Sequence, residues 1–230
     1  SVSISTDSMG TVTFHAMDGS SALGAVDDVM PTAYEEPWFG VTSPSKIDGT
    51  SAANMFQYTS PSVGGATFTA TYNQADTTSI VESQTSYAIA YSPEMVDGLT
   101  VGYAVQDDTA TGVATTAKDE STMYAKYTFG SITAGYQVSE SDNATASEDQ
   151  ESTGMAISYA ISDEMSISYG QHEVETPNDS ADQDQEASAI SASYVSGGMT
   201  IKGTIGEVDN VANVATTDRE TYEFSMSFAF

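Results

Sequence analysis

The carboxy-terminal stretch Glu220-Thr-Tyr-Glu-Phe-Ser-Met-Ser-Phe-Ala-Phe230 alternates between large apolar residues and small or polar ones. The apolar row is Tyr222, Phe224, Met226, Phe228 and Phe230, and the other row is Glu223, Ser225, Ser227 and Ala229. Because successive side chains of a strand point to opposite faces, this stretch predicts a strand with one apolar and one polar face. A strand of a soluble β-sandwich can show the same alternation, with its apolar face turned inward.

The same alternation recurs along the whole chain and predicts about 13 strands of about 7–11 residues each. Its apolar positions before the last strand fall in residues 2–4, 12–16, 56–58, 68–72, 87–91, 99–105, 123–129, 132–138, 155–161, 165–169, 190–194 and 199–205. No run of 18 or more apolar residues is present, which argues against a transmembrane helix. The sequence therefore predicts an all-β protein.

The predicted connections between strands alternate between short and long. The short ones are 7–10, 60–65, 92–98, 130–131, 162–164 and 196–198; the long ones are 18–53, 73–84, 106–121, 139–152, 172–186 and 207–219. This alternation is typical of a transmembrane antiparallel up-and-down β-barrel. We expect the long loops to hold most of the acidic residues, because the apolar rows carry no charge and a cation on the lipid face costs roughly 2–4 kcal/mol at the bilayer midplane.

Composition excludes several classes of function. The 230 residues include 33 Asp and Glu against 5 Lys and Arg, a formal net charge of −28. Nucleic-acid binding needs clustered cations, so we expect no nucleic-acid partner. The absence of cysteine excludes disulfides and thiolate metal sites. His15 lies in a predicted strand and His172 in a predicted acidic loop, so no Ser/His/Asp constellation is visible and we expect no enzyme activity.

An odd number of strands would leave an open sheet edge, which lipid does not tolerate. Bacterial single-chain barrels have even strand numbers. We therefore expect upstream residues that hold at least one further strand, and up to three; a miscounted strand is the alternative.

Residues 18–53 form the longest predicted connection and have a composition of their own. They contain the single tryptophan, Trp38, and three of the six prolines. Their apolar residues include Leu23, Val26, Val29, Trp38 and Phe39. An exterior loop would not need these residues, so we expect the segment to pack against an inner wall. Packed there, it would present Asp27, Asp28, Glu35 and Glu36 to the aperture as a pore constriction.

The sequence resembles the general-diffusion porins of Gram-negative bacteria, particularly the alphaproteobacterial type. The resemblance rests on Gly10-Thr-Val-Thr-Phe-His-Ala-Met-Asp18 leading into Ala22-Leu-Gly-Ala-Val-Asp27, on the hairpin of residues 54–60 and 65–73, and on Phe230. It implies a sixteen-stranded homotrimeric barrel in the outer membrane, with residues 1–230 as a single barrel that Ser1 enters at about the fourth strand. The third outer loop, here residues 18–53, would fold inward to form an acidic constriction.

The resemblance also implies contact with lipid and lipopolysaccharide and passive diffusion of small hydrophilic solutes and ions. The family usually sets basic residues on the wall that faces the loop. Here only His15, Lys126 and Lys202 have the parity of the water-filled lumen, so the basic cluster either lies on upstream strands or is lacking. Because the acids of the inward loop favour cations, we expect a cation-favouring channel, and we expect it to require no cofactor.

Asp27, Asp28 and Glu35 are also candidates for a Ca²⁺ site, because carboxylates are the hard oxygen ligands that calcium prefers. A solvated acidic loop without bound metal is the alternative.

Two other classes of protein share the composition: a secreted acidic calcium-binding β-structural protein or adhesin, and a soluble β-domain of a halophile. A soluble β-protein would stay monodisperse without detergent. A closed structural barrel would conduct no ions.

Overall fold

The computed structural model describes residues 1–42, 45–74, 83–109, 118–177 and 183–229. Their regular structure consists of fifteen strands and two short 3₁₀ turns, Ala146–Glu148 and Val211–Asn213. The strands are β1 Val2–Thr6, β2 Gly10–His15, β3 Gly19–Ser20, β4 Ser51–Ala52, β5 Met55–Thr59, β6 Ala66–Asn73, β7 Ser83–Tyr91, β8 Leu99–Thr109, β9 Lys118–Phe129, β10 Ile132–Asn143, β11 Gln150–Ala160, β12 Met165–Glu175, β13 Gln185–Ser196, β14 Met199–Asp209 and β15 Arg219–Phe228.

Thirteen of these strands form one antiparallel sheet in the order β1-β2-β5-β6-β7-β8-β9-β10-β11-β12-β13-β14-β15. Apart from the step from β2 to β5, neighbours in the sheet are neighbours in sequence. The short pair β3 and β4 lies within the long connection between β2 and β5. The predicted all-β, up-and-down arrangement is thus confirmed, whereas the total of sixteen strands stays a prediction.

The chain divides into two compact units. The first comprises Ser1–Asp28, Ile47–Ala125 and Ser139–Gln150. The second comprises Val29–Lys46, Lys126–Val138 and Glu151–Phe230. Each unit contains part of the sheet and part of the long connection, so the contacts of that connection are described unit by unit.

The burial pattern of the sheet is the reverse of that in a water-soluble protein. In the second unit Phe224 is 68% exposed and Tyr136 is 50% exposed. In the first unit Ser86 is only 1% exposed and Gln106 only 2%. Soluble proteins rarely expose apolar surface in such continuous rows, so the apolar rows face outward as lipid requires. A soluble sandwich with these residues in a dry interior is not supported.

The short connections are tight turns, and the one between β13 and β14 shows why. It contains only Gly197 and Gly198, with φ of 56° and 83°. A two-residue hairpin turn of type I′ needs positive φ at both positions, which glycine adopts at little steric cost. These glycines therefore fix the register of the hairpin.

The strands extend further than the alternation of apolar residues predicts. The long connections after β8, β10, β12 and β14 shrink accordingly, and the prediction that their acids lie in loops is wrong for most of them. The acids that lie in strands are Asp107, Asp108, Asp119, Glu120, Glu140, Asp142, Glu151, Glu173, Glu175 and Glu186. The hydrogen-bonded ladder continues past the apolar band, where side chains no longer need to be apolar. Asp179, Asp182 and Phe230 lie outside the described residues.

In the second unit, acids at these strand ends stand directly opposite one another on the outward face. Glu186 of β13 faces both Glu173 of β12 and Asp209 of β14. Glu207 of β14 faces Glu220 of β15 in the same way. Like charges directly opposite on neighbouring strands are destabilising, so this part of the sheet carries electrostatic repulsion.

Replacing Glu186 by glutamine removes two of these repulsions at once. We expect Glu186→Gln to raise the free energy of unfolding at low ionic strength by about 0.2–1 kcal/mol per pair. The gain should shrink in concentrated salt, because salt screens exposed charges. Unfolding in detergent micelles at low and high salt measures both effects. Glu94→Gln, in the exposed turn between β7 and β8, is the matched control, and an equal gain in both variants would contradict the expectation.

Candidate functional site

The first part of the long connection between β2 and β5 is anchored to the polar face of the first unit. The backbone N–H of Ala22 donates to Thr71 Oγ1 on β6 at 3.0 Å. The N–H of Leu23 donates to Ser86 Oγ on β7 at 2.8 Å. Leu23 is fully buried at 0% exposure, which agrees with the expectation that this segment packs.

The returning part of the connection binds the same wall. Gln106 on β8 accepts a hydrogen bond from the Thr50 N–H at 3.2 Å and donates to Thr50 Oγ1 at 2.9 Å. The Gln106 amide also donates to Asp108 Oδ1 at 3.2 Å and Glu120 Oε2 at 3.1 Å. Lys118 Nζ lies 2.8 Å from Glu120 Oε1. These carboxylates thus belong to a buried polar network that supports the connection.

In the second unit, residues 29–35 of the connection lie against the polar face of β10, β12 and β13. The N–H of Val29 donates to Gln137 Oε1 at 3.1 Å, and the N–H of Ala33 donates to Ser168 Oγ at 2.8 Å. Ser191 Oγ donates to the carbonyl oxygen of Glu35 at 3.2 Å. Side chains of the wall therefore bind the backbone of this segment.

Trp38 packs on His172, with ring centroids 4.4 Å apart and planes tilted by 58°. His172 lies on β12 and not in a loop as the sequence analysis predicted. Its Nδ1 is buried without a hydrogen-bond partner. The pair is therefore a packing contact between the connection and the wall.

The four predicted constriction acids fall in two pairs. Asp27 and Asp28 belong to the first unit and are half-buried, and the N–H of Asp28 donates to Asp27 Oδ1 at 2.9 Å. Glu35 and Glu36 belong to the second unit and are also half-buried. The role of these residues in a constriction stays a prediction.

Around Glu35 the structure assembles a charged cluster from the connection and the last two strands. The Tyr34 hydroxyl donates a hydrogen bond to Glu223 on β15. Lys202 Nζ on β14 lies 5.0 Å from the centroid of the Tyr34 ring, within the range of a cation–π contact. Glu223 was not singled out from the sequence, although it is the sole carboxylate on the inward row of described strand β15. A single acid in that row was the feature of the sequence that could have marked Glu223 as a candidate site residue.

The surroundings of this cluster raise the pKa values of two residues in the connection. The pKa of Glu35 is raised first by burial and then by the neighbouring carboxylates Glu36 and Glu223, against the opposing effect of Lys202. The hydrogen bond to Glu223 is the main cause of the raised pKa of Tyr34. Negative charge is therefore concentrated at this point of the connection.

The predicted lumen-facing residues lie on the polar side of the sheet. His15 Nε2 is 2.8 Å from Gln57 Oε1 on the neighbouring strand. Lys126 is half-buried on the row of β9 that also carries Thr122 and Tyr124. Lys202 lies beside Tyr34. Their part in tuning the lumen stays a prediction.

Within the described ranges, no three His, Cys, Asp or Glu residues are arranged to hold a metal ion. Calcium binding by Asp27, Asp28 and Glu35 stays a prediction. Over the same ranges, every helix is too short or too polar to pass through a membrane.

Comparison with known proteins decides the family. The sequence matches the family profile of Gram-negative porins over residues 1–213. This chain belongs to the Gram-negative porin family. The porin is a channel protein of the bacterial outer membrane and not an enzyme. No curated protein matches its sequence significantly.

Solved porin structures share its fold at low sequence identity. An anion-selective porin from Comamonas acidovorans aligns with a TM-score of 0.71 and 16% identity, covering 99% of this chain and 76% of the other. A loop-deletion mutant of OmpT, an outer membrane protein of Vibrio cholerae, gives 0.66 and 16%, covering 95% and 74%. Salmonella typhi OmpF in complex with daunomycin gives 0.64 and 17%, covering 96% and 75%. These likenesses show the fold alone.

Removing one anchor of the connection should weaken the porin. Thr71→Val keeps the shape of the side chain but leaves the buried N–H of Ala22 without its acceptor, which costs about 1–3 kcal/mol. Thr69→Val makes the same change two residues earlier on the same row of β6, where no contact with the connection is observed. Denaturant unfolding in micelles should therefore separate the two variants, and equal losses would contradict the role of Thr71.

Proposed function

We propose that this porin forms a water-filled channel through which small hydrophilic solutes and ions diffuse passively, with a preference for cations. Residues 18–53 form its constriction, and Asp27, Asp28, Glu35 and Glu36 line it. The observation that supports this most directly is the cluster around Glu35, where carboxylates outnumber the neighbouring cation.

That cluster contains three carboxylates and one ammonium group. Glu35, Glu36 and Glu223 contribute to it, and Lys202 is the cation whose charge acts on Glu35. Negatively charged rings and clefts in a pore raise the local concentration of cations and exclude anions. The excess of acid therefore favours passage of cations at this point.

The cluster is held in place by contacts other than those between its charges. The carbonyl of Glu35 accepts from Ser191, and Tyr34 ties the segment to Glu223. A carboxylate fixed beside the aqueous path acts on every passing ion, whereas a carboxylate on a freely moving loop would be averaged by its motion. The anchoring thus supports a selective role for Glu35.

The remaining charge of the protein acts in the same direction. Asp27 and Asp28 supply a second acidic pair, and the net charge is −28. The Comamonas protein is described as anion-selective, but at 16% identity its likeness to this chain extends to the fold alone. Lys126 and His15 add few positive groups to the polar face.

The molecules that we propose to surround the porin are inferred from its family and from the apolar rows on its outward face. Lipid and lipopolysaccharide would cover the apolar rows, and three copies of the chain would associate as a homotrimer. No cofactor is required for passive diffusion.

Ion selectivity tests the proposal directly. In planar bilayers under a salt gradient, the reversal potential of the porin should show that cations pass more readily than anions. Glu35→Gln combined with Glu36→Gln should reduce this preference, while Glu94→Gln, which removes one acidic side chain from an exposed turn, should not. Anion preference in the unmodified porin, or an unchanged reversal potential in the double variant, would contradict the proposal.

Acidification should weaken cation preference in a way that reports Glu35. Because the pKa of Glu35 is raised, its carboxylate becomes neutral at a higher pH than the value of about 4.3 for an ordinary glutamate. The reversal potential should therefore begin to fall above that pH. In Glu35→Gln the fall that begins above this pH should be absent, whereas the fall caused by the other acids at lower pH should remain. Identical pH profiles for the porin and the variant would assign the titration to other acids.

A further inference from the structure

Three glycines stand in the interior of neighbouring strands of the second unit, on the inward face. They are Gly135 on β10, Gly154 on β11 and Gly170 on β12. None of them has a positive φ, so the backbone does not require glycine at these positions. Glycine weakens a strand interior and often marks a place where another chain segment approaches closely.

The segment that approaches is residues 30–37 of the connection. A Cβ atom on Gly135 would lie 2.7 Å from Pro31 Cδ and 3.0 Å from Met30 Cε. A Cβ atom on Gly170 would lie 3.0 Å from Pro37 Cγ. The contact at Gly135 is shorter than carbon–carbon contacts allow, so an added methyl group there must displace the segment or the wall. The contact at Gly170 is tight, and an added methyl group there requires a shift of a few tenths of an ångström.

Gly154 is more tolerant than the other two glycines. A Cβ atom there would lie 3.4 Å from Met30 Cγ and 3.7 Å from His172 Cδ2, which are ordinary van der Waals distances. The three glycines therefore differ in how closely the segment approaches them.

Next to two of these glycines, polar side chains bind the backbone of the same segment. Gln137, two residues after Gly135, accepts from the N–H of Val29. Ser168, two residues before Gly170, accepts from the N–H of Ala33. On each strand the glycine leaves room and the polar residue on the same row supplies the hydrogen bond. The room left by the glycines and the hydrogen bonds from the polar residues thus together position the segment against the wall.

We infer that Gly135 and Gly170 are positioning residues that set the aperture of the channel, by allowing residues 30–37 to lie directly against the wall. This inference rests on the proposed function, in which the segment belongs to the constriction. A side chain at either position would push the segment away from the wall and into the aqueous path. The glycines therefore contribute to the size limit of the channel although they do not contact the solute.

A graded set of substitutions tests the inference in the full-length porin, expressed into outer membranes and reconstituted in planar bilayers. Gly135→Ala should lower single-channel conductance most, Gly170→Ala should lower it less, and Gly154→Ala should leave it nearly unchanged. Liposome swelling with sugars of increasing size should show the same order in the size limit. Gly203→Ala is the control, because Gly203 lies on the outward row of β14 and its added Cβ would meet only Glu223 O, at 3.4 Å.

Rescue separates positioning from a general effect on the strand. Pro31→Ala removes Pro31 Cδ, the nearest atom that the methyl group of Gly135→Ala would meet, and Pro37→Ala removes Pro37 Cγ, the nearest atom for Gly170→Ala. In each double variant conductance should return towards the value of the corresponding proline variant alone. A strand that is merely damaged by the added methyl group would not be rescued by trimming the connection.

The outcomes are distinguishable. If the unmodified porin conducts no ions, the proposed function fails. If it conducts but Gly135→Ala and Gly170→Ala match it, or if neither double variant shows rescue, the inference fails and the function stands. Should Gly135→Ala not fold, Gly170→Ala, with its less severe contact, decides by the same criteria.

Discussion

A strand that crosses hydrocarbon has no water to bond its backbone, and this constraint determines the rest of the structure. Each N–H and C=O must pair with a neighbouring strand, and the side chains that face lipid must be apolar. In the thirteen-stranded sheet every strand between β1 and β15 pairs with a neighbour on both sides, with Phe224 and Tyr136 exposed on one face and Ser86 and Gln106 buried on the other. Because successive side chains of a strand alternate between the two faces, an apolar row towards lipid leaves the polar residues on the opposite face.

That polar face makes it possible to bind a long connection whose own strand pairing is limited to the two-residue strands β3 and β4. Residues 18–53 carry backbone groups that must be satisfied somewhere. The wall provides acceptors from Thr71, Ser86, Gln137 and Ser168. Pro31 and Pro37 reduce the demand, because proline has no backbone N–H. Polar side chains of the wall thus hold the segment by binding its backbone. In a soluble sheet the corresponding side chains would point into water or would be apolar.

The sequence predicted the strands well because lipid imposes a strict rule on alternate residues. It predicted their ends poorly, since beyond the hydrocarbon the ladder continues through acids such as Glu173 and Glu186 that carry no apolar alternation. It singled out Glu35 from the composition of the connection and Lys202 from its parity, and the roles predicted for them stay predictions. It could not identify Glu223 as a neighbour of Tyr34, because that contact joins residues 189 positions apart. The close approach of residues 30–37 to Gly135 and Gly170 could not be predicted either, since a glycine in a strand does not show which segment lies against it.

The central claim is that the apolar rows face lipid while the polar rows face water, and β11 tests it directly. The chain has no cysteine, so single cysteines can be placed in turn at Met155, Ala156, Ile157 and Ser158. Fluorophores at positions 155 and 157 should be quenched by lipid-attached quenchers, and cysteines at 156 and 158 should react with a water-soluble thiol reagent in intact vesicles. The opposite pattern, with 156 and 158 quenched from lipid and 155 and 157 reached from water, would contradict the account.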